Sequence, residues 1–178
     1  MVVERRVLGA LRECGHRPRV AVAARGLSLS GEHAGLWLAA GLVTAVLDRP
    51  RRSDWLRGTA LVATAHLASM GVKRIVRRPR PAPGTYEPLV RTAGRHSFPS
   101  SHATSAAAAV VAFGVLHPTA GRLAAPVAGA MCLSRLVAGV HYPSDVAVGA
   151  LLGAATAAAG RRLLAPDAPT RARGKGLS

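Results

Sequence analysis

The stretch SFPSSHATSAAAAVVAFGVL, residues 97–116, passes within a few positions from Ser, Pro and His to an unbroken run of small and apolar residues. Pro99 and the two serines after it read as a helix start, where the first backbone N–H groups lack partners and the helix dipole favours an anion. His102 falls in the first turn of that helix, placed to give a proton to a leaving group. An ordinary N-cap with a polar histidine at a membrane boundary uses the same residues. From Ala106 to Leu116 there is no charge and no amphipathic period, so this helix reads as embedded on all sides.

Working outward, residues 31–47, 56–72, 120–138 and 144–160 join 103–116 to make five apolar stretches. A bilayer core takes about 20 helical residues, so several of them must borrow interfacial flanks or local thinning. Small residues such as Ala106 to Ala109 and the run from Gly149 to Gly160 suit helices that pack through their backbones. The expected fold is all-α, a transmembrane helical bundle of about five spans in one domain covering residues 1–178. Residues 1–28, with Arg5, Arg6 and Arg12 among Val7, Leu8 and Leu11, read as an amphipathic interfacial helix. Residues 161–178 read as a flexible basic tail. The expectation is an integral membrane protein of the cell membrane; lysines and arginines balance too evenly between the two faces to orient it. Nothing in the sequence bears on oligomeric state.

Charge is the second constraint. Lys and Arg number 24 against 8 Asp and Glu, for a net charge of +16, and 49% of residues are hydrophobic. Nucleic acid could attract such a balance, but aromatic residues make up only 3% of the chain, too few to stack on bases. No nucleic-acid partner is therefore expected. Cys14 and Cys132 lie far apart and suggest no disulfide framework.

Two further polar segments border the apolar runs. In KRIVRRPRP, residues 73–81, Lys73 and Arg80 are seven residues apart, close to two helical turns, so a continuing helix puts both on one face, where they can flank a phosphate. Pro79 and Pro81 work against that continuation. Lys73 is one of only two lysines, whereas Arg74, Arg77 and Arg78 read as a boundary cluster for lipid headgroups. In SRLVAGVHYPSD, residues 134–145, Pro143 can open the next helix, leaving His141 in the loop and Asp145 in the first helical turn. Asp145 can then reach one imidazole nitrogen of His141, fix its tautomer and leave the other to attack. It could equally serve as a helix-start charge. Arg135, at the end of an apolar run, is an expensive charge unless it meets an anion.

With these residues the chain resembles the type 2 phosphatidic acid phosphatase superfamily, whose three-part signature is KxxxxxxRP, PSGH and SRxxxxxHxxxD. Here the parts read Lys73 to Pro81, Pro99 to His102 and Ser134 to Asp145, with Ser101 where the signature has Gly. The resemblance implies a membrane enzyme that hydrolyses a lipid phosphate without metal or cofactor. It implies that Lys73, Arg80 and Arg135 hold the phosphate oxygens, with hydrogen bonds from Ser100 and the local backbone. Ser101 either crowds that corner or adds a hydroxyl donor. His141 would attack phosphorus, Asp145 would orient it, and His102 would protonate the departing group and then act as base towards water. The nearest likeness is to small actinobacterial members, which implies a polyprenyl phosphate such as decaprenylphosphoryl 5-phosphoribose. Undecaprenyl diphosphate and phosphatidylglycerol phosphate are the alternatives. A non-catalytic membrane protein that binds or transports a phosphate lipid would need the three cations but not His141. His66, seven residues before Lys73, is expected to bond a neighbouring helix.

Overall fold

A computed structural model describes residues 2–82, 87–92 and 94–161. Its described residues form seven α-helices: α1 (Val2–Cys14), α2 (Pro18–Ser30), α3 (Gly35–Leu47), α4 (Arg52–Val76), α5 (Ser101–Leu116), α6 (Pro118–Val137) and α7 (Pro143–Gly160). Local chemistry sets their ends. Pro18, Pro118 and Pro143 each open a helix, where the missing N–H costs nothing and φ is already helical. Ser100 caps α5, its hydroxyl accepting from Ala103 N at 3.5 Å. Arg77 closes α4 in the left-handed region, two residues before Pro79.

The all-α expectation holds among the described residues, which contain no strand, only one isolated bridge between Pro79 and His96. Four of the five apolar stretches correspond to α4, α5, α6 and α7 within a few residues. The first is shorter than expected, because residues 31–34 form a turn in which His33 and Ala34 both adopt positive φ, before α3 begins at Gly35. The N-terminal segment also differs from the expected single helix. It is two helices broken at 15–17, and α2 packs against α6. Helix α1 ends at Cys14, and Arg17 with Pro18 starts α2, a boundary that the surrounding arginines obscured. Among the described residues no helix is long and apolar enough to cross a membrane. α4 is long but carries Arg57, Lys73 and Arg74, whereas α3 is apolar but only 13 residues. The tail expected over 161–178 lies, apart from Arg161, outside the described residues.

Helix α5 is the hub, packed on α4, α6 and α7. Its contact with α7 is backbone against backbone: a Cβ on Gly153 would sit 1.9 Å from the Thr104 carbonyl oxygen, and one on Gly149 would sit 2.5 Å from the Ser100 carbonyl oxygen. This approach has a consequence for the site, since Ser100 N donates to the Asp145 carbonyl at 2.9 Å and so joins the starts of α5 and α7. Gly153→Ala should therefore lower stability by about 2 kcal/mol, in the range of core overpacking. Gly129→Ala, where a Cβ meets nothing within 4 Å, should not. Thermal unfolding of the two variants side by side checks this, and equal midpoints would contradict the close α5–α7 contact.

Candidate active site

The ends of α4, α6 and the starts of α5 and α7 meet at one end of the bundle, with the turn at 31–34 beside them. They enclose a cavity of about 250 Å³ lined by Lys73, Arg80, Ser101, His102, Arg135 and His141, with Glu32, His33, His66, Met70, Thr92 and Gly94 completing its wall. Three stretches well separated in the chain, from Lys73 to His141, thus contribute to one pocket. Lys73 and Arg80 reach it by a different route from the one their spacing suggested. The helix stops at Val76, and Arg80 is placed by the loop, donating through Nη1 to the Val140 carbonyl at 2.9 Å and through Nε to the Gly94 carbonyl at 2.8 Å.

His141 is 2% exposed. Its Nε2 lies 3.4 Å from Arg80 Nη1. A guanidinium only donates, so Nε2 is the unprotonated nitrogen and Nδ1 carries the hydrogen. Nδ1 faces Asp145 Oδ2 at 3.6 Å, within ion-pair range but too long for a made hydrogen bond, and it has no other partner. Burial pushes the His141 imidazole down to about 4, Arg80, Arg135 and Lys73 push the same way, and Asp145 opposes them. The ring is therefore neutral at neutral pH, with a free lone pair on the side of the cavity cations.

Asp145 is wholly buried. Its Oδ2 accepts from Tyr142 N at 2.8 Å, so it is also the helix-start group of α7. Its Oδ1 accepts from Arg78 Nη1 at 2.9 Å. Arg78 is thus not a headgroup cation as its sequence context suggested. It turns inward instead, where its guanidinium also stacks 4.2 Å over the Tyr142 ring. Local pattern carried no signal for this, because the partner carboxylate lies 67 positions away.

His102 Nε2 sits 3.0 Å from the Ser28 carbonyl. A carbonyl only accepts, so Nε2 carries a hydrogen and Nδ1 is left for proton transfer. The Ser28 hydroxyl in turn accepts from Arg135 Nη1. Ser28, from the unforeseen helix α2, thereby positions both an imidazole and a cation. Arg135 is 2% exposed and its Nε is buried without a hydrogen-bond partner. Gly31 allows the arrangement, since a Cβ there would fall 2.5 Å from the His102 ring.

The serines divide. Ser101 lines the cavity, and its hydroxyl is 2.9 Å from that of Ser69, which is itself 2.6 Å from the His66 carbonyl. One hydroxyl has one proton, so Ser69 donates to the carbonyl and Ser101 donates to Ser69, tying α5 to α4. Ser100 does not line the cavity. It caps α5, and its N–H is taken by Asp145. His66 of α4 makes a hydrogen bond to the backbone of Ser101 of α5, a neighbouring helix as expected, while its Nδ1 is buried without a partner at the cavity wall.

Residues 54–166 match the family model of the PAP2 superfamily. The chain belongs to the PAP2 superfamily. Membership in PAP2 makes it an enzyme of the phosphatase type. It is 44% identical over 142 residues to a decaprenylphosphoryl-5-phosphoribose phosphatase of Mycobacterium tuberculosis, covering 80% of this chain and 79% of the relative. It is 45% identical over 134 residues to the enzyme of that name from Mycolicibacterium smegmatis, covering 75% and 73%. A crystal structure of a transmembrane PAP2 type phosphatidylglycerolphosphate phosphatase from Bacillus subtilis superposes with a TM-score of 0.62 at 20% identity, over 91% of this chain and 94% of that one. That likeness is one of fold. The PAP2 match runs through all three polar segments that border the cavity.

The depressed His141 value gives a prediction. An unfolded histidine titrates near 6.5, so between there and about 4 the unfolded chain binds more protons and stability falls as pH drops. His141→Asn removes this contribution. Its unfolding midpoint should fall less than that of the wild type between pH 7 and pH 4; an identical fall would contradict a buried neutral imidazole.

Proposed function

We propose that this chain hydrolyses a polyprenyl-linked phosphate through a phosphohistidine, with no metal. The observation that carries the reading is the convergence of Lys73, Arg80 and Arg135 with two imidazoles on one cavity of about 250 Å³. Phosphoryl transfer needs positioning and charge stabilisation more than covalent help from the protein. Three fixed cations supply the charge, and guanidinium groups suit phosphate oxygens. The Nε2 lone pair of His141 attacks phosphorus, forming a P–N bond while the P–O bond to the lipid portion breaks. His102, charged as imidazolium once the phosphate's negative charge offsets the positive field of Arg135, delivers a proton from Nδ1 to the departing oxygen. Neutral His102 then takes a proton from water, whose oxygen attacks phosphorus, breaks the P–N bond and releases inorganic phosphate.

The substrate class is supported by the 44% identity to a decaprenylphosphoryl-5-phosphoribose phosphatase, together with a second, apolar cavity of about 510 Å³. Leu36 and Trp37 line that cavity immediately after Glu32 and His33 of the polar one. A hydrocarbon chain suits it. Membrane insertion is part of the same proposal: Leu42, Val46, Leu67, Leu123, Leu133 and Leu151 project from α3, α4, α6 and α7 into the surroundings, an exposed apolar belt that water would not tolerate. With α3 only 13 residues long, about 20 Å, the bilayer must thin beside it.

Phosphate release from decaprenylphosphoryl 5-phosphoribose, undecaprenyl diphosphate and phosphatidylglycerol phosphate tests the reading. The first should be turned over fastest, and His141→Ala should reduce release by at least about 10⁴-fold while the protein still inserts in membranes. Turnover undiminished in His141→Ala would refute His141 as the nucleophile, and wild-type protein that binds these lipids without releasing phosphate would favour the reading as a binding or transport protein. EDTA should leave activity intact and vanadate should inhibit; complete loss on chelation contradicts the proposal.

A further inference from the structure

The carboxylate that faces His141 is held from outside the cavity by the N-terminal helix. Glu4 Oε2 accepts from Arg78 Nη2 at 3.2 Å, and Glu4 Oε1 accepts from Ser144 N at 3.1 Å. Arg78 Nη1 donates to Ser144 Oγ at 2.7 Å and to Asp145 Oδ1 at 2.9 Å. Asp145 then has one oxygen committed to Arg78 and the other to Tyr142 N, and that second oxygen is the one facing His141 Nδ1. Every hydrogen bond that sets the carboxylate's plane therefore comes from Arg78 or from the α7 start, and Glu4 grips both.

Helix α1 is built to deliver Glu4 there. Glu4, Leu8 and Leu11 fall on one helical face; Leu8 is 4% exposed, and Leu11 packs on Leu136 and Val146 of α6 and α7. At the other end of α1 the Arg12 side chain lies over Gly139, where a Cβ would fall 2.6 Å from Nε. Gly139, at φ 72°, is the turn that begins the His141 loop. Helix α1 thus touches this loop at both ends: Arg12 at Gly139 and Glu4 at Ser144, with His141 between.

We propose that Glu4 and Arg78 are positioning residues: through Asp145 they aim the His141 ring at phosphorus, so that α1 completes the nucleophile rather than only resting at the membrane surface. The inference depends on His141 being the nucleophile, as in the proposed function. Neither residue lines the cavity, so neither touches phosphate. Removing them should misalign attack while leaving the anion site intact, and small misplacements of a reacting group cost up to about 10²-fold in rate.

The experiment measures kcat and KM for phosphate release from decaprenylphosphoryl 5-phosphoribose in detergent micelles, together with vanadate inhibition, for wild type, Glu4→Gln, Glu4→Ala, Arg78→Lys and Arg78→Ala, each also in an Asp145→Asn background. Glu4→Ala should lower kcat about tenfold and Arg78→Ala about a hundredfold, with KM and vanadate affinity within twofold of wild type. Glu4→Gln and Arg78→Lys should recover part of the loss. In the Asp145→Asn background the four changes should have no further effect on kcat, because the residue they act through is already disabled. A full additive loss in that background, or parallel losses of kcat and vanadate affinity, would overturn the proposal in favour of a merely structural helix. Wild-type kcat in Glu4→Ala and Arg78→Ala would also overturn it. A wild-type protein that releases no phosphate would instead sink the proposed function itself.

Discussion

Lys73, Arg80 and Arg135 repel one another, and the fold nevertheless gathers them around one cavity with Glu32 as the single carboxylate in its wall. Burying a guanidinium such as Arg135 without a carboxylate partner is costly unless an anion compensates it. The bundle bears this cost through structure around the cations. Arg80 is braced on two loop carbonyls, Arg135 on the Ser28 hydroxyl, and the helices that carry them are locked through α5. An arrangement that disfavours itself when empty is one that favours an anion when filled, which is how binding energy and catalysis come to share one set of residues.

The same cations shape the imidazole proposed as the nucleophile. Burial, with positive charge on its cavity side, keeps His141 neutral, and the donor on Arg80 leaves Nε2 as the bare nitrogen. Asp145 opposes this only across 3.6 Å. In the proposed reaction that gap is the adjustable part: as positive charge builds on the ring, closing it to a hydrogen bond would stabilise the imidazolium more than the neutral ground state. Catalysis grows from interactions that strengthen towards the transition state.

Much of this was legible in the residue order. Apolar runs broken by Pro and Ser marked α4 to α7, because those breaks are set by local backbone chemistry. The pairing of His141 with Asp145 was legible for the same reason, since four positions across a helix start bring them together. What escaped was long-range. Ser28, Glu4 and Arg78 act through partners 67 or more positions away, and no periodicity encodes such contacts. The Lys73–Arg80 face was read as helical, whereas a left-handed Arg77 ended α4 and a loop did the placing. Ser100, expected at the phosphate, is consumed as a cap and a tie to α7.

The central claim is that His141 becomes covalently bound to phosphorus. Rapid acid-free quenching of the enzyme during turnover of decaprenylphosphoryl 5-phosphoribose carrying ³²P in its 5-phosphate, followed by peptide mapping, tests it directly. The account predicts label on the peptide containing residue 141, stable to alkali and to hydroxylamine but lost in acid, as a phosphoramidate is. Label that hydroxylamine removes, which marks an acyl phosphate on Asp145, or full turnover with no covalent label at any quench time, would contradict it.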